Sequence, residues 1–315
     1  MIDLGWGRYR REWSMAAVLA LLLAMLAIFA PRFFGSGQLR GEFIKSASIL
    51  VAAVGMTMVI VCRQIDISIG SQLSVCAIVA GLSAKSGFPM PAVIVIATAT
   101  GALLGACNGA LVAFVGMPSI VATLATMVVW RESLRWLREG EMVQGLSQGF
   151  QWFGLGQTAG EWIVIAAALA IFLICAWSSR NLAAGRAIYA AGSDPEAARL
   201  AGLRPKAVTF GVFVAMGALT GIAALLNAVR FPQVQPNLGD GTELQVIAAV
   251  VVGGAAINGG RGTLVGSLIG VALLGMIGPA LVFFGAEAQW EKAIQGLIIL
   301  AAVASDTLFR GEQKP

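Results

Sequence analysis

Few residues of this 315-residue chain have side chains suited to catalysis, and their types exclude most classes of enzyme. The sequence has no histidine, which removes imidazole acid–base chemistry, histidine-based triads and histidine metal sites. It also has no Gly-x-x-x-x-Gly-Lys-Ser/Thr loop to hold ATP, and Gly-Gly-Arg-Gly at 259–262 lacks both the lysine and a preceding strand. No zincin or paired-carboxylate arrangement occurs, and a nucleophile elbow would lack its histidine base. We expect a protein that is not an enzyme and that carries no metal or cofactor of its own.

Polar residues within or beside apolar stretches are the candidates for a translocation pathway or gate. Such side chains are costly in lipid, so they usually face a protein interior or a water-filled path. Asp66 either caps the helix that follows it or lines a pathway. Asn108 and Asn258 either contact a polar solute or form hydrogen bonds between helices. The candidate set is Asp66, Ser68, Ser71, Asn108 and Asn258.

Charged residues elsewhere in the apolar stretches are scarce. Arg131, Glu132 and Arg135 lie at the polar end of one stretch, where pairing at i, i+3 or i+4 is expected to stabilise them. A carrier driven by protons or sodium ions normally places carboxylates near the membrane midplane, and this chain offers almost none. The sequence therefore predicts an energy source outside the chain.

The segment from Gly192 to Lys206 is a polar island with the signals of a short helix. Ser193 or Asp194 can cap its start, Pro195 suits the first turn and Glu196 can complete a capping box. Gly202 offers a left-handed cap and Pro205 prevents continuation. The helix is about 10–12 Å long, so it cannot span a membrane. Within it, Ala197, Leu200 and Ala201 share one face, and Glu196 can pair with Arg199. This helix either docks on another protein or lies on its own bundle.

The composition predicts an all-α polytopic membrane protein. Apolar residues make up 58% of the chain and charged residues only 12%, about half the charged share of a soluble domain. Apolar stretches of near-spanning length predict about ten transmembrane helices, the eighth short and the junctions at 63–66 and 258–262 interrupted. The stretches are 14–31, 43–62, 66–85, 91–115, 118–137, 162–178, 207–228, 244–257, 262–284 and 290–305.

The distribution of basic residues predicts the orientation. Arg8, Arg10 and Arg11 precede the first stretch, and the loop 179–206 is basic, so both are expected in the cytoplasm. The first stretch is long enough to span and lacks a small-residue cleavage site, so it is expected to be retained. We expect a cytoplasmic segment 1–13, a single transmembrane domain 14–306 and a cytoplasmic tail 307–315. The net charge of +5 comes without a basic run mixed with aromatic residues, so no nucleic-acid partner is expected.

Small residues four apart predict close helix packing, because close backbone approach is a main source of helix association in lipid. Gly217 and Gly221 have this spacing in the seventh stretch. The four cysteines have no C-x-x-C spacing and are expected to be small buried residues without disulfides. The other packing ridges are Gly101, Gly105 and Gly109 in the fourth stretch and Gly262, Gly266 and Gly270 in the ninth.

Three groups of residues, in register over roughly 40–305, resemble the ABC importer permeases for ribose, xylose, rhamnose and autoinducer-2. In this chain the family's Gly-Gly before Ile-Asp-Leu-Ser is replaced by Arg63-Gln64. A glycine pair would permit a tight or left-handed backbone there, so the sequence leaves the local geometry open, and the difference fits a rhamnose or autoinducer-2 subgroup. The matching segments are Gly185-Arg-Ala-Ile-Tyr-Ala-Ala-Gly192 with Pro195-Glu-Ala-Ala-Arg-Leu-Ala-Gly202, Ile65-Asp-Ile-Ser-Ile-Gly-Ser71, and Val250-Val-Val-Gly-Gly254 running on to Gly259-Gly-Arg-Gly262.

The resemblance implies a permease subunit in a bacterial inner membrane that imports a small sugar. It implies a second permease subunit, identical or paralogous, two ATP-binding domains that hold ATP and magnesium, and a periplasmic solute-binding protein. The alternative is a self-sufficient facilitator or an ion-coupled carrier for a small polar solute. The resemblance also assigns the short cytoplasmic helix as the coupling helix that docks on the ATPase, formed by Asp194, Glu196, Ala197, Ala198, Arg199, Leu200, Ala201 and Gly202.

Overall fold

Apolar segments surrounded by lipid form hydrogen bonds within themselves as helices, because the membrane offers their backbone groups no water. The computed structural model describes residues 10–283, 285, 287, 290–298 and 300, with side chains from residue 12 onward. Regular structure in these residues is helical, apart from one antiparallel bridge between Val143 and Val234. The expected all-α membrane architecture is confirmed for this part of the chain.

Within the described part of the chain eleven α-helices follow one another, and residues 290–298 are helical as well. Short 3-10 helices occupy Pro31–Phe34 and Gln151–Gly154, and α4 continues into a π-helical turn, Leu111–Val115. The helices are α1 Arg10–Phe29, α2 Ser36–Val61, α3 Ile69–Lys85, α4 Met90–Ala110, α5 Ser119–Arg138, α6 Gln157–Asn181, α7 Ala183–Ser193, α8 Pro195–Leu200, α9 Pro205–Ala228, α10 Thr242–Val252 and α11 Leu264–Phe283.

Six described helices are long and apolar enough to cross a membrane: α1, α2, α4 with its π-helical turn, α6, α9 and α11. The third and eighth predicted stretches form shorter apolar helices, α3 with 17 residues and α10 with 11. At 1.5 Å per residue these are about 25 and 16 Å long, against about 30 Å of hydrocarbon. The fifth stretch forms the 20-residue α5, which carries four charged residues in its last two turns. The tenth stretch lies partly outside the described residues, and the predicted tail 307–315 lies wholly outside them.

Helix α2 is the centre of the bundle. Its residues are apolar on all sides from Ile49 to Val61, and nearly all of them are buried. An all-round apolar helix is typical of a position enclosed by other helices. It is surrounded by α6, α9, α10 and α11. Its end, followed by the irregular segment 62–68, therefore lies among neighbours from several parts of the chain.

Glycines bring α4 and α9 into direct backbone contact. A methyl group at Gly101 would overlap the carbonyl oxygen of Gly217, and one at Gly105 would overlap the carbonyl oxygen of Phe213. A methyl group at Gly109 would be tight against Phe210 and Phe213. These glycines lie on the predicted small-residue face, and they let the two helices approach more closely than side chains would permit.

A second close contact joins α10 and α11. A methyl group at Gly266 would overlap the carbonyl oxygen of Gly253, and one at Gly270 would overlap that of Ala249. Gly262, however, is not part of this face, because α11 begins at Leu264. It lies in the preceding loop with φ 154°, packed against Val61 and Ala255. The predicted ridge of three glycines on one helix is therefore wrong at its first member.

Helix α1 is the most peripheral of the six long helices, and almost none of its residues are buried. Leu26 and Ala30 form a small separate cluster with Phe33 and Ala280. At its other end, the hydroxyl of Thr263 donates to Oε1 of Glu12 at 2.9 Å. Helix α1 thus contacts the bundle along one edge, mainly at α11.

Candidate functional site

The short helix predicted in the polar island is α8. Asp194 caps it, with one carboxylate oxygen accepting from the amides of Glu196 at 2.9 Å and Ala197 at 3.0 Å. Ser193, the other candidate cap, is instead the last residue of α7. Gly202 follows with a left-handed φ of 85°, as expected for a residue just past a helix end. Pro205 does more than prevent continuation, because it is the first residue of α9.

One residue of α8 faces the protein and the others are exposed. Ala198 is only 4% exposed, whereas Leu200 is 78% exposed and Ala197 and Ala201 are also exposed. Glu196 and Arg199 form the expected i, i+3 ion pair, with Nε to Oε2 at 3.1 Å. This hydrogen bonding raises the pKa of the Arg199 guanidinium above its usual value. The apolar edge of α8 is therefore presented outward rather than packed on its own bundle.

Helix α7 connects α8 to the centre of the bundle. This helix was not predicted from the sequence. Its last turn lies against the end of α2, and a methyl group at Gly192 would overlap the carbonyl oxygen of Val61. That same oxygen accepts from the amide of Gly260 at 2.8 Å. Tyr189 on α7 donates to the carbonyl oxygen of Gly262 at 2.7 Å. The alanine content of 183–193 was the signal that a helix lies here.

We call this contact of α7, the end of α2 and residues 259–262 the three-way junction. Its fit depends on residues without side chains, because a methyl group at Gly259 would overlap Arg63 and one at Gly260 would overlap Ser193. Both glycines also have left-handed φ values of 79° and 71°. Helix α7 thus joins α8 to the end of α2 through direct backbone contact.

Arg63 adopts a left-handed backbone with φ 63° at the position where the resembling family has Gly-Gly. A non-glycine residue in this region costs roughly 1–2 kcal/mol, because its Cβ crowds the following carbonyl. The sequence left the backbone geometry open here, and the structure shows the left-handed conformation that glycine favours, adopted by an arginine. Arg63 is exposed, and its side-chain carbons pack on Gly259.

A buried polar cluster lies at the other end of the 62–68 segment. Asp66 is fully buried and accepts from the amide and hydroxyl of Ser68, at 2.9 and 2.5 Å, and from Nε2 of Gln72 at 2.9 Å. Asn108 on α4 donates to the Ser68 hydroxyl at 2.8 Å and lies 3.4 Å from the Asp66 carboxylate. The structure thus brings three of the predicted site residues together. Asp66 binds Ser68, the residue before α3, and the Gln72 side chain in its first turn, but no side chain caps the free amides of α3, so the capping alternative is not confirmed.

The cluster extends into α5 and leaves one predicted residue apart. Thr126 donates to Oδ1 of Asn108 at 2.8 Å, and the hydroxyl of Thr123 accepts from the amide of Ile67 at 3.0 Å. Ser71 is buried beside the cluster and donates to the Ser68 carbonyl at 2.7 Å. Asn258, by contrast, is exposed in the loop between α10 and α11. The residues that the sequence left unnoticed here are Gln72, Thr123 and Thr126.

A group of ion pairs joins α5 to the segment before α10. Nε of Arg131 lies 3.3 Å from Asp240, and its Nη2 lies 3.3 Å from Glu243. Arg135 pairs with Glu132 at 2.8 Å, as predicted, and also reaches Asp240 at 3.5 Å. Arg131 therefore pairs outside its own helix, more than 100 residues along the chain. Among the described residues, no group of three His, Cys, Asp or Glu side chains is placed to hold a metal ion.

Comparison with known proteins identifies the family. A family model described as "Branched-chain amino acid transport system / permease component" matches residues 41–303. The chain is 32% identical over 300 residues to an "Autoinducer 2 import system permease protein LsrC" from Enterobacter sp., covering 95% of this chain and 88% of the relative. The protein of the same name from Escherichia coli O157:H7 is 33% identical over 303 residues, with 94% and 87% covered.

A third relative with this name, from Yersinia pseudotuberculosis, is 30% identical over 300 residues. No solved structure matches the chain. These matches confirm the family that the three sequence segments predicted, which is a family of transport components. Together with the six long apolar helices, the matches indicate a multi-pass inner-membrane protein. The chain belongs to the branched-chain amino acid transport system / permease component family, as a membrane permease of the ABC importer type.

Proposed function

We propose that this chain is the transmembrane permease subunit of an ATP-driven importer for a small sugar or sugar-like solute. The observation that carries the proposal is α8, a capped helix with an exposed apolar edge on a bundle whose sequence has no ATP-binding loop. Six residues are too few for a helix to be stable alone. Docking in a groove of an ATPase would bury Leu200 and stabilise the helix.

The proposed topology places α8 in the cytoplasm as the coupling helix. The chain has about ten transmembrane helices between residues 14 and 306, of which α3 and α10 are short, and the segments 1–13 and 307–315 lie in the cytoplasm. Support comes from the arginines before α1 and from the basic loop 179–206. Asp194 to Gly202 then lie on the side where ATP is available.

The proposed power stroke runs through the three-way junction. ATP-driven movement of α8 would shift α7 and, through the backbone contact at Gly192, the end of α2 and loop 259–262. The segment 62–68 begins at that end and finishes at Asp66, whose hydrogen bonds connect α3 and α4, with Thr126 of α5 bound to Asn108. One movement would therefore change the relative positions of several helices and open the pathway to alternate sides of the membrane.

The proposed solute is autoinducer-2 or a related small sugar, such as a pentose or rhamnose. The relatives' names support autoinducer-2, whereas the family model's description names branched-chain amino acids. Uptake should therefore be measured with autoinducer-2, ribose, rhamnose and leucine side by side. A system that takes up only leucine would overturn the sugar part of the proposal.

The proposed partners are a second permease subunit, ATP-binding subunits that hold ATP and magnesium, and a periplasmic solute-binding protein. The test is reconstitution of the complex in liposomes with and without each partner. Uptake and solute-stimulated ATP hydrolysis should require all of them. Uptake by the purified chain alone would instead support a facilitator or an ion-coupled carrier, for which the buried Asp66 carboxylate would be the coupling group.

A paired substitution tests the role of α8 directly. Leu200→Glu places a charge on the exposed edge of α8, and we expect at least tenfold lower solute-stimulated ATPase with normal insertion. Leu182→Glu is the matched control, because Leu182 is also exposed but lies between α6 and α7. Wild-type stimulation in Leu200→Glu, or equal loss in both variants, would contradict the docking role.

A further inference from the structure

A polar cavity of about 360 Å³ lies between the start of α10 and the helical residues 290–298. This volume is within the range of small-molecule sites in proteins. The cavity is distinct from the Asp66 cluster and contains none of the pathway residues expected from the sequence. The side chains of Asp240, Thr242, Gln245, Glu291, Lys292 and Gln295 line it.

The cavity is next to a segment that reaches into the bundle. The amide of Gly239 donates to the Ser74 hydroxyl at 2.9 Å, and a methyl group at Gly70 would overlap the Glu243 carboxylate. Gly70 and Ser74 belong to the first two turns of α3, close to the Asp66 cluster. Helix α10 is about 16 Å long, too short to carry its first residue to the far surface of a membrane. In the proposed topology, the loop that follows α10 lies at the three-way junction on the cytoplasmic side, so the start of α10 lies at membrane depth.

Charged and amide side chains at such a depth require either partners or water. Asp240 has its partners, Arg131 and Arg135. Gln295 is only 6% exposed and donates to Oε1 of Glu291 at 3.1 Å. Lys292 is exposed, with its Nζ close to Gly241. These groups line a space that would be costly to fill with lipid, because they would then lose their solvent.

From this lining we infer that the cavity is a transit site for a neutral, polyhydroxylated solute, an inference that rests on the proposed import function. Carboxylates of Asp240 and Glu291 accept hydrogen bonds, Lys292 donates, and the amides of Gln245 and Gln295 do both, so hydroxyl groups find partners of each kind. An anionic solute would meet two carboxylates. An apolar solute would leave these groups unpaired.

Cysteine labelling tests whether the cavity is a water-filled part of the path. Gln245→Cys is made in a variant whose four native cysteines are replaced, and is treated with a membrane-impermeant trimethylammonium methanethiosulfonate. We expect rapid labelling and at least tenfold slower uptake of autoinducer-2 or ribose after labelling. Leu244→Cys is the matched control on the same helix, since Leu244 is 57% exposed but does not line the cavity, and it should stay unlabelled. No labelling at Gln245, labelling without effect on uptake, or equal labelling at Leu244 would overturn the inference.

A second pair, made in the native background, tests the polar contact itself. Gln245→Leu should slow uptake at least fivefold, whereas Gln245→Asn, which keeps the amide, should retain more than half of the rate. Equal rates in the two variants would overturn the inference even if the cysteine variants fold poorly. Solute-stimulated ATPase and uptake of the unmodified complex are measured in parallel. If those are absent, the import function fails; if they are present and the variants behave alike, only the cavity assignment fails.

Discussion

At the contact between α4 and α9, a glycine-to-alanine substitution has two opposing effects on the free energy of unfolding. Gly217→Ala replaces a helix-interior glycine, which by helix propensity alone should stabilise the protein by about 1 kcal/mol. In the structure, however, the added methyl group would overlap the Gly101 carbonyl oxygen and lie 2.9 Å from both the Gly101 carbonyl carbon and the Gly105 Cα. All three obstacles are backbone atoms, so no side-chain rotation can relieve the overlap.

Relief requires the two helices to move apart by at least about 1 Å, because the two carbon contacts are already that far below the preferred 3.5–4.0 Å and the overlap with the carbonyl oxygen is closer still. A gap of that size loses a quarter to a half of the dispersion attraction at the contacts it opens. Overpacking of this kind costs typically 1–3 kcal/mol. Since the obstacles are backbone, we take the upper half of that range and expect a net destabilisation of about 1–2 kcal/mol after the propensity gain.

The assay is unfolding of the purified protein in mixed micelles with increasing dodecyl sulfate, followed by helix content. Gly211→Ala is the matched control, because Gly211 is also on α9 but has no atom within 4 Å of an added methyl group. It should be as stable as the wild type or more stable by up to about 1 kcal/mol. A Gly217→Ala variant at least as stable as the wild type would refute the reasoning.

Three further predictions follow from the site. Asp194→Ala removes the cap of α8 and should lower the local stability of this helix by about 1 kcal/mol. Amide hydrogen exchange at Glu196 and Ala197 should then be faster than in the wild type, whereas Asp194→Asn, which can still cap, should leave it unchanged. Equal exchange rates in the two variants would argue against capping. Arg63→Gly should raise the thermal midpoint relative to Arg63→Ala, because only glycine relieves the left-handed backbone, and the reverse order would contradict the strain. Asn108→Leu leaves the buried hydroxyl groups of Ser68 and Thr126 without their partner and should lower the free energy of unfolding by about 2–4 kcal/mol. A decrease below about 0.5 kcal/mol would mean that the cluster does not stabilise the fold.

Local signals in the sequence were sufficient for features whose causes are local. The limits of α8 follow from Asp194, Pro195 and Gly202, each of which acts on neighbouring backbone groups. The interruption at 62–68 likewise follows from polar residues between apolar runs. Helix α7 was missed because its basic surroundings grouped it with the polar island, although its alanines favour a helix.

Features that depend on contacts between distant segments could not be predicted from one sequence. Arg131 was expected to pair within α5, but its partners are Asp240 and Glu243, brought close by the short α10. Hydrogen bonding of Asn108 to Ser68 likewise depends on how α4 packs against α3. Spacing along the chain predicted that these groups need partners, whereas only the packing determines which partners they have.

The peripheral position of α1 has a consequence for how this protein can be handled and varied. The family match begins at residue 41, so α1 precedes the matched region and also lies outside the buried bundle. Substitutions along the exposed face of α1 should therefore leave insertion and folding intact, because this helix contacts the bundle along one edge only. For the same reason, reporters or purification tags joined upstream of α1 should leave transport intact, whereas insertions near the three-way junction should abolish it.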